Sequence, residues 1–298
     1  SENVIVKTSY DKNKIKSEFF WLKNLPKNLK KYTPKLIEFK ELKKKSQYSI
    51  EYLPLNPLNE IFVYGKNPIL FWEKVFSIIN KLLKDFRNIK KINNQIIKKN
   101  SEWLIETKSN IRLNTLSNLN LINIDHNYFY NNQEMPSLRE ITKFCINKSK
   151  KNRILPAVIH GDLCLSNILF NSRINSIKII DPRGRSYKNN LTIYGDQNYD
   201  LAKLTHSIIG MYDHIISGQY TLLNFNLKSM EIKFERSARL KNIQSLFINK
   251  IIGNQKFKDT LPQVILLFIN MLPLHKDKKE IQKAIFANCL RLYSLYKK

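Results

Sequence analysis

The apolar residues of this chain repeat at one period near its start, at another for most of its length, and return to the first between Ala157 and Ile180. Asn3–Ser9 (NVIVKTS) alternates apolar with polar side chains, the two-residue repeat of a half-buried strand. Lys12 to Asn24 reads as a helix, with Phe19, Phe20 and Leu22 on its apolar side and Pro26 beyond its end. Lys35 to Lys45 and Gln47 to Leu53 read as two more strands around a lysine-rich turn. From Pro54 the repeat is helical. Ile69, Trp72, Val75, Phe76, Ile79, Leu82, Leu83 and Phe86 recur at three- and four-residue steps, one amphipathic helix. A second helix is expected over Ser101 to Leu116, and the polar, aromatic stretch Asn123 to Glu134 reads as a loop. Ser137 followed by Glu140 is a capping box for a helix running to Lys148. Period two then returns at Ala157–His160, Ile168–Phe170 and Ile177–Ile180, the last two strands joined by the turn Asn171–Ser176. Helices are expected from Asp196 to Leu295. Strands first and helices after make an α+β protein, and 298 residues are enough for two lobes sharing a cleft.

Composition narrows the setting. No stretch reaches the roughly 18 apolar residues that span a bilayer. The nearest, Pro262 to Leu274, is interrupted by Gln263 and Asn270 and reads as a buried helix. The start lacks the basic-then-apolar layout of a secretory signal. Cys145, Cys164 and Cys289 are too scattered for a zinc site or a disulfide framework, so a reducing, cytoplasmic location is expected. The net charge of +27 comes from lysines spread along the chain, with short clusters such as Lys43 to Lys45. No basic stripe is interleaved with aromatics, so the charge is read as solvated surface rather than a nucleic-acid interface. Weak attraction to acidic surfaces or nucleotides follows in either case.

The chemistry sits in His160–Asn167 (HGDLCLSN) and in Asp181 within IKIIDPRG. Phosphoryl transfer asks for one carboxylate to orient and deprotonate an incoming hydroxyl, and for oxygen ligands that hold Mg²⁺ against phosphates. Magnesium takes hard oxygen donors, commonly one or two carboxylates with phosphate and water. Asp162 precedes Asn167 by the spacing found between the catalytic Asp and Asn of protein-kinase loops. Asp181 follows a β-hairpin that would fold it back beside Asn167.

These residues resemble the aminoglycoside phosphotransferase and choline kinase family, whose fold is that of protein kinases. The resemblance lies in His160, Gly161, Asp162, Asn167, Ile180 and Asp181. It implies a two-lobed α+β fold, with a small β-rich lobe over 1–52 and a mainly helical lobe over 53–298. It implies Asp162 as catalytic base, Asn167 and Asp181 as magnesium ligands, and His160 as a brace for the loop. Asp200, in Gly195–Leu204 (GDQNYDLAKL), would bond the backbone of that loop. Lys7 would hold nucleotide phosphates with Glu18 as its ion-pair partner, and Glu51 to Leu53 would meet the base. The cofactors implied are Mg²⁺ and ATP or GTP, and the partner is a small-molecule hydroxyl acceptor. Arg183, His206 and Asp213 are candidates for acceptor contacts; a solvent-facing arginine and a structural histidine are the plain alternatives. The longer phrase from IDPRG to LAKLTHSIIGMYD is similar to bacterial phosphotransferases of capsule or surface-polysaccharide synthesis, some fused to a nucleotidyltransferase.

One departure stands against this pattern. The first glycine is Gly65, so no glycine-rich phosphate loop precedes Lys7. Either the chain begins inside the small lobe of something longer, which the missing initiator Met favours, or its nucleotide cover is lacking. A kinase-fold binding or regulatory module is the rival that this favours. A protein kinase ranks lower, because Gly161 replaces the usual Arg and no Ala-Pro-Glu segment follows.

Overall fold

The computed structural model describes residues 3–88, 94–118, 122–225, 229–235 and 237–298. It divides into two compact units, Ser1–Asn100 with Ile154–Asp200, and Ser101–Arg153 with Leu201–Lys298.

The chain opens with β1 (Val4–Ser9), α1 (Lys12–Asn24), β2 (Leu36–Glu41) and β3 (Ser46–Glu51). The strands form an antiparallel sheet of order β1-β3-β2, with Lys7 opposite Tyr48. Asp11 starts α1 by accepting the Lys14 N–H at 3.0 Å, which satisfies one of the four donors a helix start leaves open. Next come β4 (Asn56–Pro57), α2 (Leu58–Tyr64) and α3 (Ile69–Arg87). In α3 the buried residues are Trp72, Val75, Phe76, Ile79, Leu82, Leu83 and Phe86, the face its periodicity marks.

The helix expected from Ser101 instead spans α4 (Asn94–Glu102) and α5 (Lys108–Ser117), separated by a π-helical turn at Trp103–Thr107. The expected loop at 123–134 holds a hairpin of β5 (Tyr128–Tyr130) and β6 (Gln133–Met135). Asn131 and Asn132 close it at φ 48 and 61, the left-handed pair a two-residue hairpin turn requires. Then follows α6 (Leu138–Ser149), with both halves of the Ser137–Glu140 capping box formed.

The middle strands are β7 (Pro156–Val158), β8 (Ile168–Asn171), β9 (Ser176–Ile179) and β10 (Tyr194–Asp196). β8 and β9 form a hairpin, β4 adds to the free edge of β8, and β7 pairs with β10. The expected lobe boundary at 52 therefore differs from the division by packing. Pairing of β4 with β8, and of α3 with β7 and β9, draws residues up to Asn100 into the first unit.

The remainder comprises α7 (Gln197–Ile208), α8 (Tyr212–Ile216), β11 (Thr221–Leu223), β12 (Glu231–Lys233), α9 (Ala238–Phe247), α10 (Asn254–Met271) and α11 (Lys279–Lys297). The hairpin β11–β12 interrupts what the sequence reads as helices throughout. The apolar stretch after Pro262 lies inside α10, which packs on α6 and α11 as the core of the second unit. Among the described residues no helix is long and apolar enough to cross a membrane.

Candidate active site

The residues singled out around HGDLCLSN converge within the first unit, and backbone hydrogen bonds hold them there. Asp200, fully buried at the start of α7, accepts the N–H groups of His160 and Gly161 at 2.8 Å each. His160 is also fully buried, and desolvation pushes its pKa down, so its ring is neutral. Its Nδ1 accepts the Asp162 N–H at 3.3 Å, which leaves Nε2–H to donate to the Ile180 carbonyl at 2.8 Å. The loop thus hangs between the start of α7 and the end of β9. Gly161 has φ +79, and a Cβ there would stand 2.6 Å from the Arg183 Cβ, so only glycine fits the turn.

Asn167 donates from Nδ2 to the Asp162 carbonyl at 2.8 Å and toward Asp162 Oδ2 at 3.4 Å. These bonds use its Nδ2. The Ile180 N–H donates to the Asn167 carbonyl at 3.0 Å, so these two residues face each other at the open end of the β8–β9 hairpin. Asp181 comes next in the chain, at φ +60. An amide oxygen and a carboxylate are the kind of hard donors that Mg²⁺ takes. Among the described residues no group of three or more His, Cys, Asp or Glu is placed to hold a metal ion.

Lys7 bridges two carboxylates. Its Nζ lies 2.8 Å from Glu18 Oε2 and 2.7 Å from Asp181 Oδ1. Glu18 Oε2 also accepts the Tyr48 hydroxyl at 2.9 Å. The Glu18 side chain is 4% exposed and that of Asp181 43% exposed, so the bridge runs from a dry end to a wet one. Burial pushes the Glu18 carboxyl upward against the pull of Lys7. Burial alone would lower the Lys7 ammonium, but its bonds to Asp181 and Glu18 outweigh this and raise it. The two shifts agree once the dry end is seen to lose more hydration than a single ammonium shared between two carboxylates returns.

No protein-family model matches the sequence, and no curated protein sequence matches it. Solved structures do. The chain superposes on a thermostable mutant of aminoglycoside phosphotransferase APH(4)-Ia with a TM-score of 0.60 at 8% identity, covering 99% of this chain and 86% of the other. The chain has the aminoglycoside phosphotransferase fold. Its small N-terminal sheet and helical C-terminal region are the protein-kinase-like α+β arrangement expected from the sequence. Spectinomycin phosphotransferase, determined with ADP and spectinomycin, matches at a TM-score of 0.53 and 13% identity over 100% of this chain and 87% of its own. An ethanolamine kinase of Plasmodium vivax matches at 0.57 and 16% identity, over 98% of this chain and 77% of its own.

Within this aminoglycoside phosphotransferase fold, the remaining candidate residues differ in what surrounds them. At the expected hinge, the Glu51 N–H donates to the Lys35 carbonyl at 3.0 Å and the Tyr52 N–H to the Asn3 carbonyl at 2.9 Å. The Glu51 side chain accepts the Lys35 N–H at 2.8 Å. Leu53 follows the end of β3 and accepts the Leu55 N–H at 2.8 Å. Arg183 donates its backbone N–H to the His160 carbonyl at 2.8 Å, and its guanidinium lies 6.0 Å from the Tyr199 ring centre. His206 and Asp213 belong to the second unit. His206 is 1% exposed, with its ring 4.5 Å from that of Tyr212 and 4.1 Å from that of Phe268. Burial pushes the Asp213 carboxyl up to about 6, against a bond from Ser207.

Sequence reasoning missed three contributors. Tyr48 supports Glu18, Trp21 ties α1 to Ile159, and Gly184 lets the segment after Asp181 approach α1. Only Tyr48 carries a usable signal, because antiparallel strands place it opposite Lys7.

Proposed function

We propose that the chain is a magnesium-dependent small-molecule kinase that moves the γ-phosphoryl group of ATP or GTP to a hydroxyl of a sugar, polyol or amino alcohol. The observation that carries this reading is the Lys7 bridge. One ammonium touches both a buried glutamate and Asp181, and Asp181 adjoins the residue opposite Asn167. In this reading residues 1–52 receive the nucleotide, and 53–298 supply the catalytic loop and the acceptor site. Lys7 binds the α- and β-phosphates, steadied by Glu18. The sheet already uses the N–H groups of Glu51 and Tyr52, so Leu53 N–H is the donor available to the base. Magnesium, held by Asn167 and Asp181, would supply charge neutralisation across the β- and γ-phosphates. Asp162 orients the acceptor hydroxyl and takes its proton as the new O–P bond forms and the bond to the leaving diphosphate breaks. His160 and Asp200 hold the loop so that Asp162 needs no rearrangement.

Arg183, His206 and Asp213 remain candidates for acceptor contact. A place in capsule or surface-polysaccharide precursor synthesis, beside a nucleotidyltransferase, has support from the IDPRG-to-LAKL phrase alone. The second reading is a kinase-fold binding or regulatory module with weak or no catalysis. A panel of hydroxyl acceptors with MgATP, followed by ³¹P NMR, separates the two. Transfer to one acceptor, lost in Asp162→Asn while nucleotide still binds, is expected. No turnover with any acceptor, despite tight nucleotide binding, favours the module.

A further inference from the structure

In protein kinases the helix that carries the lysine's glutamate is a movable part, and its position controls activity. Here α1 is anchored at several points within the first unit. The Trp21 indole N–H donates to the Ile159 carbonyl at 2.7 Å, and the ring is fully buried, edge-on to His160 at 5.8 Å between centres. Ile159 immediately precedes the catalytic loop, so this bond fixes the helix to the strand end that presents Asp162. Asp11, which caps α1, lies 3.9 Å from the Arg185 guanidinium.

The closest approach is at Gly184. It has φ +65, and a Cβ on it would collide with the Ser17 backbone carbonyl and stand 3.2 Å from the Trp21 Cβ. Ser17 adjoins Glu18, and Gly184 lies in the turn that begins at Asp181. The backbone that carries one end of the Lys7 bridge therefore rests directly on the backbone that carries the other. The segment beyond is closed on itself, with the Thr192 N–H donating to the Gly184 carbonyl at 3.0 Å and the Ser186 N–H to the Asn190 carbonyl at 2.9 Å.

The geometry points to Gly184 as a positioning residue that holds α1 as a fixed wall and sets the span of the Glu18–Lys7–Asp181 bridge. A side chain at 184 meets the Ser17 carbonyl first and the Trp21 Cβ next, both on α1, and displacing α1 carries Glu18 away from Asp181. One lysine 2.8 Å from one carboxylate and 2.7 Å from the other cannot follow both. The inference takes its meaning from the kinase reading above, but its test does not depend on turnover.

Competitive labelling of lysines with an amine-reactive ester, read by mass spectrometry, reports the bridge without metal or nucleotide. In the wild type Lys7 should label slowly, because its amine is engaged on two sides. Gly184→Ala should speed labelling of Lys7 at least five-fold while lysines of the second unit keep their rates. Gly218→Ala is the control, since Gly218 has φ +74 but nothing within 4 Å of its added Cβ. It carries the same backbone strain without the collision, and should leave Lys7 unchanged. If Gly184→Ala raises labelling throughout, the chain has unfolded, and Trp21→Phe replaces it. That variant keeps a buried ring, loses the Ile159 bond, and should speed Lys7 labelling two-fold or more. Unchanged Lys7 labelling in the folded variant, relative to Gly218→Ala, overturns the proposal whether or not the protein proves to be a kinase.

Discussion

The two compact units set different partners against the burial of their acids. In the first, Glu18 is 3% exposed and keeps both Lys7 and Tyr48 as partners, and Asp200 receives two backbone N–H groups. In the second, Asp213 has an oxygen, Oδ2, with no hydrogen-bond partner among the described residues, and burial pushes its carboxyl up to about 6. Its neighbour His214 is pushed down to about 4, by burial first and then by the Arg239 charge. Burial pushes both carboxyls upward, but Glu18 has the charge of Lys7 set against it, whereas Asp213 has a bond from Ser207.

The sharpest break of this contrast is Asp162→Asn, which removes the proposed proton acceptor but little of its volume. Turnover should fall by about 10²–10⁴, the range for losing a general base, with nucleotide binding kept. A pH series probes the second unit. The folded-state pKa of Asp213 is raised from 3.8 to about 6, so the native chain binds the extra proton and stability falls as pH rises through that window. His214 is lowered from 6.5 to about 4, so the unfolded chain binds the extra proton and stability rises over nearly the same window. The two slopes oppose each other. Asp213→Asn should be stabilised above pH 6 by up to roughly 3 kcal/mol, little changed at pH 4, and should uncover the His214 slope in urea titrations. A wild-type slope as steep as the variant's would show that the two groups do not offset.

Lys7→Met tests the first unit in the other direction. It leaves Glu18 buried without its ion, and should cost about 2 kcal/mol, less than a fully buried pair because the lysine end is partly solvated. Adding Glu18→Gln should recover part of the loss in chemical denaturation. The smallest effect lies outside both clusters. Ser137→Ala removes the cap of α6 and should cost about 1 kcal/mol, seen as a lower denaturation midpoint with unchanged slope.

The fold class and the central loop were legible because local chemistry fixes them. Asp162, Asn167 and Asp181 sit at spacings a hairpin brings together, and Ser137 with Glu140 states its helix start within four letters. The hairpin at Asn131–Asn132 was not legible, because strands of three residues each are too short to show a two-residue repeat. What the sequence could not disclose are contacts between distant positions. Trp21 meets Ile159 across 138 residues, and its helical spacing marks it only as core. The backbone contact at Gly184 leaves no pattern, because a glycine there looks like any loop glycine.

In the proposed kinase, the ammonium of Lys7 already neutralises the Asp181 carboxylate to which a divalent ion would bind. A free ion arriving alone must evict this placeholder and gains little by doing so. Phosphates that draw the lysine toward themselves clear the way, so ion and nucleotide should enter as one body, with weak affinity for either separately.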